Sequence, residues 1–211
     1  MTIRDPVLWL AVAVLLTLAV ATHYRNRVWQ SDVALWYDTS LKSPMKPRPR
    51  VNLARAYQEQ GRNEDAIREY QNAMYLVMRP QYARYKILTH QLAAMNMSQI
   101  LIGSGQLDLA EEVLVRVWNQ EPGFPGIAIN LALVYLQQSR FQMASEVVDA
   151  GLSQLPRYPW FGDVGKLYFV KGAAQDLLGD CPGALKNYQQ AARLDADLIV
   201  PQVCNLPKEI Q

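Results

Sequence analysis

Residues 52–73 read NLARAYQEQGRNEDAIREYQNA, and their spacing decides the fold. Leu53, Ala54 and Tyr57 recur at helical intervals, Gly61 interrupts, and Ala66, Tyr70 and Ala73 resume the interval. That pattern implies two amphipathic helices joined at a glycine. Alanines at 54 and 66 let the helices approach closely, and Tyr57 and Tyr70 fill the space between them. Gly61 permits the positive φ that ends the first helix and turns the chain.

The same unit recurs on the C-terminal side. Residues 47–80 form the first unit and close at Pro80. Residues 91–124 form the second and most degenerate, with Met97, Ser98, Leu101, Gly105, Ala110, Leu114 and Pro122. Residues 125–158 form the third, with Leu131, Ala132, Tyr135, Ser139, Ala144, Val148, Gly151 and Pro156. Residues 165–198 form the fourth, with Gly172, Gly179, Ala184, Tyr188 and Ala191. The starts lie 44, 34 and 40 residues apart, so extra residues precede units two and four. Residues 81–90 follow Pro80 and are good helix formers, which predicts a long first helix in unit two. One such hairpin cannot bury its own apolar face, so neighbours must stack.

These residues resemble the tetratricopeptide repeat, whose ideal period is about 34 residues. The resemblance covers residues 47–198. It implies an all-α solenoid of helical hairpins, about four repeats long, and a recognition surface rather than an active site. Ahead of the first full unit, Trp29 to Pro44 reads as a lone amphipathic helix beginning near Ser31, a half-repeat that packs on unit one.

The strongest composition shift lies further upstream. Val7 to Thr22 contains no charge, and as a helix its 16 residues span about 24 Å. With Pro6, His23 and Tyr24 it approaches the roughly 20 residues that a bilayer span needs. Trp9 and Tyr24 stand where interfacial aromatics are expected. A cleaved signal peptide is the main rival reading, since Ala19-Val20-Ala21 resembles a cleavage site, and a buried helix of a soluble domain is the third. Only Arg4, offset by Asp5, precedes the apolar run, which favours an uncleaved anchor. Residues 23–50 carry six basic and two acidic side chains, net +4, whereas residues 51–211 are net −2. The basic stretch is therefore local, and the chain is not of a nucleic-acid-binding type.

Arg25-Asn26-x-x-Trp29, Leu35-Trp36 and Pro44, set between an apolar span and the repeats, resemble the last span and linker of transmembrane-and-tetratricopeptide proteins. That resemblance covers residues 7–75. In that family a many-span glycosyltransferase-like body precedes an extracytoplasmic repeat domain. The many-span body is not part of this sequence, so the family's sugar-transfer activity is not carried over, whereas placement of the repeats outside the cytoplasm is what the resemblance implies. The charges flanking the span barely decide its orientation and lean the other way, leaving a cytoplasmic repeat domain open.

Little in the sequence suggests chemistry. His23 and His90 are far apart, and no ligand cluster has metal-binding spacing. Gly103-Ser104-Gly105 falls on a repeat turn and is too short for a phosphate loop or a nucleophile elbow. Glu111 and Glu112 read as a solvated helix face helped by the helix dipole. No catalytic residue, metal, cofactor or small-molecule substrate is expected.

A partner groove is. In tetratricopeptide repeats the first helix of each hairpin lines the concave side. Here that assigns Asn52 and Arg55 in unit one, and Met95, Asn96, Gln99 and Ile102 in unit two. Unit three supplies Ile129, Asn130, Leu133 and Leu136, and unit four Phe169. The surface is apolar in its middle and charged at its ends. Asn52, Asn96 and Asn130 occupy the same repeat position. They form either a ladder that bonds an extended peptide or a set of structural consensus residues. An apolar groove suits a helix or apolar strand of a protein partner.

Cys181 and Cys204 are the two cysteines. A helix over 182–194 spans about 20 Å, and ten extended residues cover about 33 Å. The tail can therefore return Cys204 to Cys181. A disulfide there implies an oxidising compartment, and two free thiols are the alternative.

The expected organisation is a membrane anchor at 1–24, a linker and half-repeat helix at 25–46, the solenoid at 47–198 and an extended tail at 199–211. The expected function is a membrane-anchored scaffold that assembles or stabilises a membrane or envelope protein complex. It would be single-pass, held in the bilayer by residues 7–24, with its repeats in the periplasm. The alternatives are a non-catalytic accessory subunit of a membrane glycosyltransferase, and a secreted binder.

Overall fold

The computed structural model describes residues 6–78 and 86–203, with backbone alone at 86–88. The described residues are helical throughout, without strands, and fall into two compact units, Met1–Leu76 and Val77–Gln211.

In the first unit, α1 (Pro6–Asn26) has no buried residue along its 21 positions. A 3-10 turn (Arg27–Gln30) leads to α2 (Asp32–Lys42), α3 (Pro47–Glu59) and α4 (Asn63–Val77). Ser31 starts α2 as a cap, its Oγ accepting from the Ala34 amide at 3.1 Å. Pro47 starts α3, where its missing N–H is harmless. The half-repeat is present as a helix, and α2 packs on α3. Between α3 and α4, Leu53, Ala54, Ala66, Tyr70 and Ala73 are buried. The Tyr70 hydroxyl donates to Gln58 Oε1 at 3.0 Å, and Arg50 Nη1 donates to Glu69 at 2.8 Å. The hairpin is thus joined by its small residues and tied at two polar points.

The second unit stacks three hairpins. They are α5 (Lys86–Gly103) with α6 (Leu107–Trp118), α7 (Pro125–Gln137) with α8 (Phe141–Ser153), and α9 (Val164–Leu177) with α10 (Cys181–Leu194). α5 is the long first helix expected, at 18 residues against 13 for α7; residues 81–85 lie outside the described ones. α5, α7 and α9 touch one another in series, α6 also packs on α7 and α8 on α9. Every hairpin therefore rests on the next, as mutual burial of apolar faces requires. Met97, Leu101, Leu114, Ile127, Leu131, Val148 and Leu167 form the closed core.

Small residues set the helix separation. A Cβ on Gly172 would lie 2.9 Å from the Tyr188 ring, so α9 and α10 approach through that one hydrogen atom. The hairpin turns use positive φ at Gly61, Gly105 and Gly179, and at Ser139 with φ 59°. A second device recurs with the repeat. Arg62 stacks over Tyr57 at 4.3 Å, and Arg140 over Tyr135 at 4.5 Å.

Candidate protein-binding surfaces

The two units offer separate surfaces. In the second, the series α5, α7, α9 presents one face backed by the partner helices of its hairpins. Met95, Asn96, Ile102, Leu133, Leu136 and Phe169 are half-buried there, and Gln99 and Leu92 are exposed. Met95 lies across Gly126, where a Cβ would meet its sulfur at 2.6 Å, so the side chain bridges α5 and α7. Phe169 leans on Tyr188 with ring centroids 5.1 Å apart, which fixes its ring on the α9 side. The face is a run of partly solvated aliphatic side chains from adjacent helices. Such a face can desolvate an apolar segment, and it holds no nucleophile, acid–base pair or ligand cluster. Among the described residues no three metal-ligating side chains converge.

Two assigned residues do not face solvent there. Ile129 is buried, at 8% exposure, and Asn130 at 3%. Asn130 donates both amide hydrogens inward, to the Met95 carbonyl and to Ser98 Oγ, each at 3.0 Å. It is a tie between α5 and α7 and has no N–H left for a peptide. A buried amide must find partners, and the close approach of α7 to α5 supplied them. The ladder therefore lacks its third rung. Glu111 is likewise not on a solvated face. Arg140 Nη1 donates to its carboxylate at 2.7 and 2.8 Å, and Gln138 Nε2 at 3.0 Å, clasping α6 to the turn before α8. Glu112 does face solvent, paired with Arg116 one turn on.

In the first unit Asn52 is half-buried and Arg55 exposed, the latter 3.5 Å from Glu59 on the same helix. Gln58, beside them, is occupied by Tyr70.

Sequence reasoning missed an aromatic cluster in the second unit. Phe124 is buried, and its ring meets Tyr158 edge-on at 5.1 Å. Trp160 packs on both rings, at 6.2 and 5.9 Å, while remaining exposed. The Tyr158 hydroxyl donates to Glu121 at 2.8 Å, and Arg157 lies 3.3 Å from that carboxylate. Burial, and then the hydrogen bond to Glu121, push the Tyr158 phenol up to about 12. The signal was Tyr-Pro-Trp-Phe at 158–161, which closes the third unit and begins the extra residues ahead of the fourth.

Cys181 opens α10 and is not a free thiol. Cys204 lies outside the described residues, as does the tail beyond Val203.

Hairpins of this size, with small residues at the crossing and glycine at the turn, match a known family. Tetratricopeptide-repeat models match residues 50–81 and 93–159. These are tetratricopeptide repeats. The chain resembles the human protein O-mannosyl-transferase TMTC1, with 26% identity over 177 residues, 82% of this chain and 18% of that protein. It therefore spans less than a fifth of that relative's length. A thermophilic tetratricopeptide protein of Thermus thermophilus superposes with a TM-score of 0.59 at 18% identity, covering 86% of this chain and 92% of that one. MamA from Desulfovibrio magneticus RS-1 gives 0.53 at 19%, covering 72% and 76%. YrrB, described as having an unusual peptide-binding site, gives 0.55 at 13%, covering 86% and 83%. At these identities the structures establish the fold alone. The fold is a protein–protein interaction scaffold and is typically non-catalytic.

Proposed function

We propose that this tetratricopeptide chain is a membrane-anchored scaffold whose second unit holds an apolar segment of a membrane or envelope protein. The carrying observation is the run of half-buried aliphatic side chains, Met95, Ile102, Leu133 and Leu136, on adjacent first helices of two hairpins. An amphipathic helix or apolar strand fits such a face, and the polar Gln99 and Asn96 beside it give register. Anchoring is supported by α1, which is apolar, exposed along its length and about 32 Å long, close to the thickness of a bilayer core. A signal sequence would have the same properties, and N-terminal sequencing of the native protein separates the two: a mature chain starting at Thr22 removes the anchor.

Placement of the repeats outside the cytoplasm, in the periplasm, is supported by the resemblance of residues 7–75 to the last span and linker of transmembrane-and-tetratricopeptide proteins and by the cysteine pair. Tethering to the membrane of the partner raises the effective concentration of each for the other.

Leu133→Arg puts a charge in the centre of the face at a half-exposed position. We expect it to abolish co-purification of the partner from mild detergent while leaving helicity unchanged. Unaltered capture by a folded Leu133→Arg protein would remove the face from consideration.

A second reading, an accessory subunit of a separate glycosyltransferase chain, is favoured by the TMTC1 similarity covering 82% of this chain. Mass spectrometry of the same purification decides it, according to whether the partner is a many-span transferase.

A further inference from the structure

The outer face of α2 is unusual for a helix inside a repeat stack. Val33, Trp36 and Ser40 share one side of α2 by helical spacing, and that is its more buried side. Tyr37 and Leu41, one turn apart, run along the flank of that side, 51% and 62% exposed. Trp29, in the turn before α2, is 64% exposed. Three large apolar side chains thus remain in water, in a stretch of sequence that also carries the cations Arg25, Arg27, Lys42 and Lys46.

An exposed ion pair links this stretch to α1. Arg25, in the last turn of α1, donates from Nη1 to Asp38 Oδ2 at 3.0 Å, and Lys42 Nζ reaches the same oxygen at 2.7 Å. Asp38 and Lys42 share the outer side of α2 with Leu41 by spacing. Leu41 therefore borders the ion pair at the foot of α1, and Tyr37 precedes it on the adjoining flank. A helix of 21 residues spans about 32 Å, so with Pro6 at one surface of a bilayer, Arg25 stands at the other. Asp38 is then at headgroup level.

We infer that the outer face of α2 rests on the bilayer surface, with Trp29, Tyr37 and Leu41 at the boundary between headgroups and acyl chains and Arg27, Lys42 and Lys46 among anionic phosphates. This rests on the reading of α1 as a membrane span. Tyrosine and tryptophan favour that boundary because one end of each ring system is polar. Local net charge of +4 over residues 23–50 suits an anionic lipid surface. A second copy of the chain fits the face poorly. Three half-exposed side chains bury roughly 300 Å², against the about 800 Å² per partner of a stable interface.

The test uses the full chain in vesicles of phosphatidylcholine with phosphatidylglycerol. A photoreactive benzoylphenylalanine replaces Leu41 in one sample and the exposed Glu64 of α4 in another. On irradiation we expect a several-fold excess of phospholipid adduct at position 41, falling when phosphatidylglycerol is replaced by phosphatidylcholine. Protein–protein adducts at position 41, or equal lipid yields at both positions, overturn the inference. Carbonate extraction of the same vesicles separates its failure from that of the anchor. A chain that resists extraction yet takes no lipid at position 41 leaves the span standing and removes the surface contact. A chain released by carbonate removes both.

Discussion

Ser139 holds φ at 59°, in the left-handed region that an L side chain enters at a cost of about 1–2 kcal/mol. The other three hairpins place glycine at that turn: Gly61, Gly105 and Gly179. Ser139→Gly is therefore expected to stabilise the protein by about 0.5–1 kcal/mol, the relief of strain outweighing the added freedom of the unfolded chain. A thermal melt that moves upward checks it. Tyr158 carries a pH signature. Its folded pKa, raised to about 12, lies above the ordinary value of 10.0. The folded state thus holds the phenol proton more tightly than the unfolded one. Its contribution is complete below pH 10 and is lost as pH rises towards 12. Burial raises Tyr135 and Tyr188 in the same direction. Denaturant midpoints should fall across that window, less steeply in Tyr158→Phe. At this scale the turn glycines were legible, because a positive φ admits few residue types. Asn130 was not legible, because an asparagine amide serves a bound peptide or a neighbouring carbonyl equally well. Only the approach of α7 to α5 decides which. The stacking of Arg62 on Tyr57 and Arg140 on Tyr135 was present as a Tyr-x-x-x-x-Arg spacing in two units. It becomes meaningful only once the turn between them brings the guanidinium back over the ring.

Elements join through their turns as much as through their faces. The segment between α6 and α7 and the one between α8 and α9 meet in the Phe124, Tyr158 and Trp160 cluster, with Glu121 beneath it accepting from Tyr158 and from Gln91 of α5. Two successive hairpins are thereby fixed at their ends. Phe124→Ala removes the buried ring of that cluster and should cost about 3–5 kcal/mol; a chemical-denaturation curve measures it. Helix boundaries and the long α5 followed from periodicity and from prolines. The cluster did not, because extra residues between repeats appear in a sequence only as a change of period. Counting shows that they exist and not where they fold. Glu111 illustrates the same limit. Its place early in a helix suggested solvent, and the clasp with Arg140 depends on a turn 27 to 29 residues away.

For the whole molecule, the repeat family could be read almost entirely from small residues at fixed offsets, since the crossing of two helices tolerates nothing larger. Gly172 against Tyr188 shows the same constraint in coordinates. The partner could not be read, because a half-buried leucine is equally at home in a core, a groove or a stack end. The proposed placement outside the cytoplasm makes a covalent prediction. Non-reducing peptide mapping of natively purified protein should recover Cys181 linked to Cys204, and Cys204→Ser should lower stability by about 3 kcal/mol. An unlinked pair would withdraw this support for an oxidising compartment. The latch between Arg25 and Asp38 has a mechanical consequence. An anchor joined to its domain by loose chain is a leash, and the domain sweeps a volume. Here the connection is five residues long, most of it a 3-10 turn, and an exposed ion pair spans it, so the leash is short. With α1 in a bilayer, the first unit is kept close above its surface. Partners of that unit are then sorted by where they stand before they are sorted by what they are.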